Sequence, residues 1–222
     1  MEKSFKWIGI DESGKGDFFG NLIVAGVVVD KEKLEILNKM NVRDSKNISD
    51  NRIIYLAKII KQNFLSSVVS ISPKKFNELY EKFKNINKIL AWSHSRVLKN
   101  LLQLEDVDEV IIDKFTTKNY IETFLTKEEK NINKLEIIKG ENDIAVASAS
   151  ILARANFLLS LKKLNQIWNF NFPKGASKIV DESGVEFVKK YGIENLKLVS
   201  KVNFRNFKRI YETIKLEENK DV

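Results

Sequence analysis

Two adjacent acids near the start of the chain are the first residues that could carry chemistry. Asp11 and Glu12 close an apolar segment, and a Gly-Lys-Gly turn follows them at Gly14, Lys15 and Gly16. Because neighbouring side chains of a regular strand point to opposite faces, the two acids can serve one site only if the strand ends or bulges between them. The glycines let the backbone approach another molecule closely, and the lysine adds a cation. A polar turn that carries a lysine is the open alternative.

Further acids lie at the end of a later apolar segment and just before a predicted helix. Asp113 ends the apolar segment 110–112, and acids at strand ends gather at one edge of an α/β sheet, where such proteins place their sites. Taken alone, Asp113 could equally be a turn residue or a helix cap. Glu141 and Asp143 precede a helix rich in alanine and serine. Acids there cap free amides and are favoured by the helix dipole, but either could also reach past the helix end towards a metal.

Composition narrows the chemistry that these acids could perform. The chain has no cysteine and a single histidine, His94. Disulfides, metal–thiolate sites and a cysteine nucleophile are therefore excluded, and a metal would be held by oxygen ligands, which favours Mg²⁺ or Mn²⁺. The net charge of +8 fits a polyanionic partner, although a lysine-rich genome would produce it too. Three acidic groups in a basic chain indicate carboxylate-held divalent ions acting on phosphodiesters.

The elements that must position these acids follow from periodicity. With 222 residues, of which 43% are hydrophobic, the chain can bury a sizeable core. We expect a single α/β domain over residues 1–222, with a helical C-terminal elaboration at about 160–222. Strands are predicted at 5–10, 22–29, 68–71, 107–113 and 135–138, and helices at 31–40, from Arg52 onward, at 74–103 with a break near 85–87, and at 144–164, 177–191 and 202–215.

The N-terminal segment has no apolar signal core, and no continuous run approaches 18 apolar residues. The chain is therefore expected to be cytoplasmic, without a membrane segment. His94 lies in an apolar helical segment, which favours a packing role over catalysis. The aromatic residues Trp92, Phe157, Trp168, Phe170 and Phe172 are likewise expected to pack in the core rather than to stack on bases.

Several motifs, in order along nearly the whole chain, are similar to the type 2 ribonuclease H family and specifically to its bacterial ribonuclease HIII branch. The segment from Ile10 to Gly20 resembles the family's opening acid pair, Gly-Lys-Gly-Asp turn and aromatic-Phe-Gly sequence. The later matches are RDSK at 43–46, LAWSHSRVLKNLL at 90–102, IDKF at 112–115, AVASASILARANFL at 145–158, FPKGA at 172–176 and KVNFRN at 201–206.

This resemblance implies an RNase H-like fold, a mixed central β-sheet flanked by helices. It also implies an endoribonuclease that hydrolyses the RNA strand of RNA/DNA hybrids with Mg²⁺ or Mn²⁺, leaving 5′-phosphate and 3′-hydroxyl ends. The four catalytic, metal-binding carboxylates would be Asp11, Glu12, Asp113 and Glu141. The spacing before the helix is one residue shorter than usual in the family, so Asp143 is a second candidate for the fourth position.

The resemblance also assigns substrate contacts. Gly14, Lys15 and Gly16 would read the 2′-hydroxyl, largely through backbone atoms. Ser45 and Lys46 would contact phosphates, and Lys174 and Arg154 are weaker candidates for backbone contacts.

Proteins of this branch usually carry an N-terminal substrate-binding domain, and here the acid pair comes at residue 11. We therefore expect a monomer whose catalytic domain binds the hybrid through its own basic surface, weakly and with strong salt dependence. Two alternatives are ribonuclease HII-like incision at single ribonucleotides in duplex DNA and a non-catalytic nucleic-acid-binding protein.

Overall fold

The computed structural model describes residues 5–42, 48–113, 120–137 and 140–219, except for the side chains of Glu141 and Glu218. The predicted contacts of Ser45 and Lys46 lie outside the described residues.

A five-stranded mixed sheet, in the order β3-β2-β1-β4-β5, is the framework of the fold. β1 pairs antiparallel with β2 and parallel with β4, and β4 pairs parallel with β5. The residues of β2 from Leu22 to Val29 are all buried, which explains why this strand reads as one apolar run rather than as an alternating pattern. The strands are β1 (Lys6–Ser13), β2 (Leu22–Asp30), β3 (Ser66–Ile71), β4 (Glu109–Asp113) and β5 (Asn133–Ile137).

The helices begin and end at recognisable capping residues. Ser49 and Ser72 each accept a hydrogen bond from a backbone amide of the first helical turn. The predicted break near 85–87 is confirmed, because Lys84 is left-handed and Asn85 caps the helix that follows. The helices are α1 (Leu34–Met40), α2 (Asp50–Asn63), α3 (Pro73–Phe83), α4 (Ile86–Leu102), α5 (Lys127–Lys130), α6 (Ile144–Trp168), α7 (Lys178–Tyr191), α8 (Ile193–Val199) and α9 (Arg205–Glu218), with 3₁₀ turns at Lys31–Lys33, Ile121–Phe124 and Gly140–Asn142.

The first turn of α6 packs directly on β1. A Cβ atom on Gly9 would lie 2.1 Å from the carbonyl carbon of Ala145, so only glycine permits this approach. By length and apolar composition α6 alone among the described helices could cross a membrane, which the prediction from continuous apolar runs did not foresee. However, 67% of its most apolar window is buried within the protein, as in a core helix.

The chain divides into two compact units. The first comprises residues 1–13, 23–70 and 85–156. It holds nearly all of the sheet, and its core joins β1, β2 and β4 to α4 through residues such as Ile8, Val24, Leu98 and Ile112. The predicted mixed sheet with flanking helices is confirmed.

The second unit comprises residues 14–22, 71–84 and 157–222. Its helical content agrees with the predicted C-terminal elaboration, although Gly192 separates α7 from a short α8 that periodicity did not indicate. The rings of Trp168, Phe170 and Phe172 pack with Phe187, which confirms their predicted packing role. That both units act as one catalytic domain stays a prediction.

Candidate active site

Two of the predicted acids lie side by side at the carboxyl ends of neighbouring parallel strands. Ile10 of β1 pairs with Ile112 of β4, so the next residues, Asp11 and Asp113, stand on the same face of the sheet. Adjacent strands are about 4.8 Å apart, which brings the two carboxylates within reach of one cation. The interpretation of Asp113 as a site residue rather than a turn residue is thus supported by strand register.

The environment of Asp11 disfavours its charged form. Burial, the negative charge of Glu12 and, to a smaller extent, that of Asp113 raise the pKa of Asp11 to about 7. Hydrogen bonds from the Ser150 hydroxyl on α6 and from the amide of Glu12, 2.7 Å from Oδ1, act in the opposite direction. A carboxylate in this position gains stability from a bound cation.

Glu12 points away from Asp11. β1 stays paired with β2 through Asp11, Glu12 and Ser13, without a bulge, so the two acids lie on opposite faces of the sheet. We predicted that both acids could serve one site only if the strand ended or bulged between them, and β1 does neither. On the α4 side, Glu12 Oε2 lies 3.4 Å from Nε2 of His94. Whether Glu12 binds metal directly stays a prediction.

His94 is fully buried, and its Nδ1 lies 2.9 Å from the carbonyl oxygen of Leu90 one turn earlier in α4. This agrees with the expected packing role. The contact with Glu12 was not foreseen, because no local spacing relates a residue of β1 to one of α4. The structure shows that His94 holds a polar contact with one of the predicted site acids.

The turn that carries the third acidic group is joined to Asp113. The amide of Gly140 donates to Asp113 Oδ1 at 2.7 Å, and a Cβ atom on Gly140 would come within 3.0 Å of this carboxylate oxygen. Glu141 follows directly in the 3₁₀ turn, and its side chain lies outside the described residues.

Asp143 acts as a helix cap. Its Oδ1 accepts hydrogen bonds from the amides of Ala145 and Val146 at 2.9 and 3.0 Å. Its Oδ2 accepts one from the indole of Trp7 at 3.2 Å. The capping alternative therefore holds for Asp143, whose carboxylate is occupied within the fold. The assignment of the fourth carboxylate to Glu141 stays a prediction that this geometry favours.

The donor set fits a hard divalent cation. Asp11 and Asp113 offer adjacent carboxylate oxygens, and burial together with the negative charges of Glu12 and Asp113 raises the pKa of Asp11 to about 7, so a bound cation would offset these effects. Within the described part of the chain, no three acidic or histidine side chains stand close enough together to hold an ion. A complete site thus requires a ligand beyond this pair, and the predicted ones are Glu12 and Glu141.

The predicted substrate turn follows β1 and belongs to the second unit. Gly14 has a φ of 85°, and a Cβ atom there would lie 2.2 Å from the carbonyl oxygen of Asn21, so the turn requires glycine. Gly16 is exposed, with no other atom near the position of its missing Cβ, and Lys15 is half-buried. The backbone at the tip of this turn is open to another molecule.

Comparison with known proteins places this arrangement in a family. The family model described as Ribonuclease HII matches residues 8–207, which include all of these acids. The chain belongs to the ribonuclease HII family. Its fold and its enzyme class agree with the predictions made from the sequence.

Curated relatives within the ribonuclease HII family carry the name ribonuclease HIII. The protein of Protochlamydia amoebophila (strain UWE25) is 39% identical over 203 residues, covering 91% of this chain and 67% of the relative. That of Chlamydia abortus is 40% identical over 217 residues, covering 96% of this chain and 72% of the relative. The predicted ribonuclease HIII branch is therefore confirmed.

Solved structures of ribonuclease HIII proteins have the same fold as this chain. Bst-RNase HIII in complex with Mn²⁺ matches with a TM-score of 0.87 and 30% identity, over 95% of this chain and 70% of that one. RNase H3 of Aquifex aeolicus matches with a TM-score of 0.74 and 32% identity, over 91% and 72%.

Proposed function

We propose that this chain hydrolyses the RNA strand of RNA/DNA hybrids in the presence of Mg²⁺ or Mn²⁺. The observation that carries the proposal is the placement of Asp11 and Asp113 on adjacent strand ends of one sheet face, in a chain of the ribonuclease HII family. Hydrolysis at the scissile phosphate leaves a 5′-phosphate and a 3′-hydroxyl end.

The residues of the site have different proposed roles, which follow from their positions. A divalent cation, when bound, activates the attacking water and stabilises the leaving oxygen. Asp11 and Asp113 would hold it, and Glu141 would complete the ligand set. Ser150 and the amide of Gly140 orient the two aspartates through hydrogen bonds. His94 keeps the carboxylate of Glu12 in place from the α4 side of the sheet.

The Gly-Lys-Gly turn distinguishes RNA from DNA. Gly14 sets the backbone at a positive φ, and the exposed backbone at Gly16 can hydrogen-bond a 2′-hydroxyl without steric obstruction. Lys15 adds a positive charge near the phosphates. Ser45 and Lys46 would contribute further phosphate contacts.

A cleavage assay in Mg²⁺ and in Mn²⁺ tests the proposal. The substrates are a labelled RNA/DNA hybrid, the matched single-stranded RNA, duplex RNA, and a DNA duplex with one embedded ribonucleotide. We expect cleavage of the hybrid, and a loss of at least about 1,000-fold in kcat for Asp11→Asn and for Asp113→Asn, with hybrid binding retained. Near-normal turnover by either folded variant would refute the site.

The same assay separates the alternatives. Because the matching family model is that of Ribonuclease HII, incision at the single ribonucleotide is the second candidate activity. Preference for that substrate over the hybrid would replace the proposed specificity. Tight hybrid binding without cleavage in either metal would mean a binding protein.

We also propose that the working form is a cytoplasmic monomer. Light scattering coupled to gel filtration should give the mass of one chain.

A further inference from the structure

A lysine is fully buried in the second unit, where packing alone does not require a charge. Lys201 follows α8 and has no exposed surface. Its Nζ donates a hydrogen bond to the backbone carbonyl oxygen of Asp17 at 2.6 Å and lies 6.0 Å from the centre of the Phe204 ring. The carbonyl that it binds belongs to the segment that immediately follows the Gly-Lys-Gly turn.

Burying this amine has an energetic cost. Burial lowers the pKa of Lys201 to about 7, and the charge of Asp17 offsets only part of that effect. An unbranched apolar side chain of similar length would fill the same space without desolvating an ammonium group. The amine therefore has a use beyond the filling of space, and its hydrogen bond to Asp17 indicates what that use is.

Backbone hydrogen bonds also join the segment that follows the turn to two other parts of the second unit. On the side of Lys201, its own amide donates to the Phe18 carbonyl at 2.9 Å, and the Gly20 amide donates to the Val199 carbonyl at 3.1 Å. On the other side, the amide of Phe18 donates to the carbonyl of Gly175 at 2.9 Å. The amide of Gly175 in turn donates to Asp17 Oδ1 at 2.6 Å. The base of the turn is thus anchored while its tip at Gly16 stays open.

We propose that Lys201 is a positioning residue, which fixes the Asp17 carbonyl and thereby the backbone of the Gly14–Gly16 turn in the conformation that receives the substrate. The inference rests on the proposed function, since it assigns to this turn the contact with the 2′-hydroxyl. Misplacement of the turn by a fraction of an ångström would weaken its contact with the 2′-hydroxyl and lower turnover.

The decisive variant is Lys201→Met, which keeps the length of the side chain and removes the donor. Lys197→Met is the matched control, because Lys197 is an exposed lysine of α8 whose Nζ pairs with Glu194 on the surface. We expect Lys201→Met to lower kcat on the hybrid by at least about tenfold. We expect its thermal midpoint to stay within about 3 °C of the wild type, which corresponds to a small change in stability.

Hydrogen exchange supplies a readout that does not depend on activity. In Lys201→Met the amides of Phe18 and Gly20 should exchange faster, while those of the β2 strand in the first unit stay unchanged. A purely structural role would instead accelerate exchange throughout the second unit and lower the thermal midpoint. In that case kcat per folded molecule would be unaltered, and the proposal would be wrong.

If Lys201→Met does not fold, a second variant still tests the proposal. Since the chain has no cysteine, Lys201→Cys carries one thiol, which can be aminoethylated in denaturant before refolding. Aminoethylation gives the cysteine a side chain that ends in an amine, as lysine does. The proposal requires a higher kcat for the aminoethylated Lys201→Cys sample than for the unmodified one. Equal activity of these two refolded samples would refute it. If the wild type itself leaves the hybrid intact, the proposed function fails. If wild type and Lys201→Met cleave equally, only the role of Lys201 fails.

Discussion

At the residue scale, the site is governed by the burial of Asp11 and by the negative charges close to it. Asp11 and Asp113 share one sheet face, and the negative charge of Glu12 also raises the pKa of Asp11. Without a cation, burial and this repulsion together favour the protonated form of Asp11 and raise its pKa. A metal replaces that proton, so metal affinity should fall as the pH drops below about 7.

The raised pKa makes a prediction about stability in the absence of metal. The pKa of Asp11 is about 7 in the folded state and near its usual value of 3.8 in the unfolded state. Between these values the folded state binds more protons, so stability falls as the pH rises. Without metal, we expect Asp11→Asn to raise the thermal midpoint at pH 8 and to leave it almost unchanged at pH 4.

Asp106→Asn, at an exposed position, is the control for this measurement. Scanning calorimetry in EDTA at both pH values gives the comparison. An Asp11→Asn variant that is less stable than the wild type at pH 8 would contradict the assignment of the carboxylate as a destabilising charge.

At the element scale, the start of α6 organises the site. Gly9 lets the helix rest on β1, and Asp143 caps it while accepting a hydrogen bond from Trp7. The preceding 3₁₀ turn donates to Asp113 through Gly140. The helix end therefore sets the position of two strands and of the turn that carries Glu141.

The two acids before α6 should consequently behave differently when substituted. Asp143→Ala removes a cap and should lower stability by about 1–2 kcal/mol while it leaves kcat within a fewfold of the wild type. Glu141→Gln should leave stability unchanged and lower kcat by at least about 100-fold, as expected for a lost metal ligand. Chemical denaturation and the hybrid assay measure the two effects.

The reverse pattern, with turnover lost in Asp143→Ala and kept in Glu141→Gln, would reassign the fourth carboxylate to Asp143.

At the scale of the whole molecule, charge is distributed unevenly. The net charge is +8, and the second unit carries most of the excess of lysine and arginine over aspartate and glutamate. The first unit holds the acids and most of the sheet. A polyanion is therefore attracted chiefly by the unit that also carries the Gly-Lys-Gly turn.

Hybrid binding should accordingly depend steeply on salt. The logarithm of the association constant should fall linearly with the logarithm of salt concentration, by about 0.9 for each phosphate neutralised. Lys174→Gln, beside Gly175, should reduce this slope by about one if Lys174 contacts a phosphate. Lys39→Gln, at an exposed lysine of α1 in the first unit, is the control and should leave the slope unchanged. Equal slopes in all three proteins would remove Lys174 from the binding surface.

Local patterns sufficed for much of the architecture. The alternation and runs of apolar residues locate all five strands within a few positions, and the break before Ile86 follows from the polar residues there. They did not indicate α5, whose four residues are too few to establish a period, or α8, which follows α7 directly after Gly192.

The sequence by itself determined the chemistry: oxygen ligands in a cysteine-free basic chain, acids at strand ends, and motifs that belong to one family. Only the tertiary structure decided that Asp11 faces Asp113, that Glu12 turns to His94, and that the Lys201 amine is buried beneath the substrate turn. The physical reason is range. Residue type and periodicity act locally, whereas strand register and burial depend on packing between segments far apart in the chain.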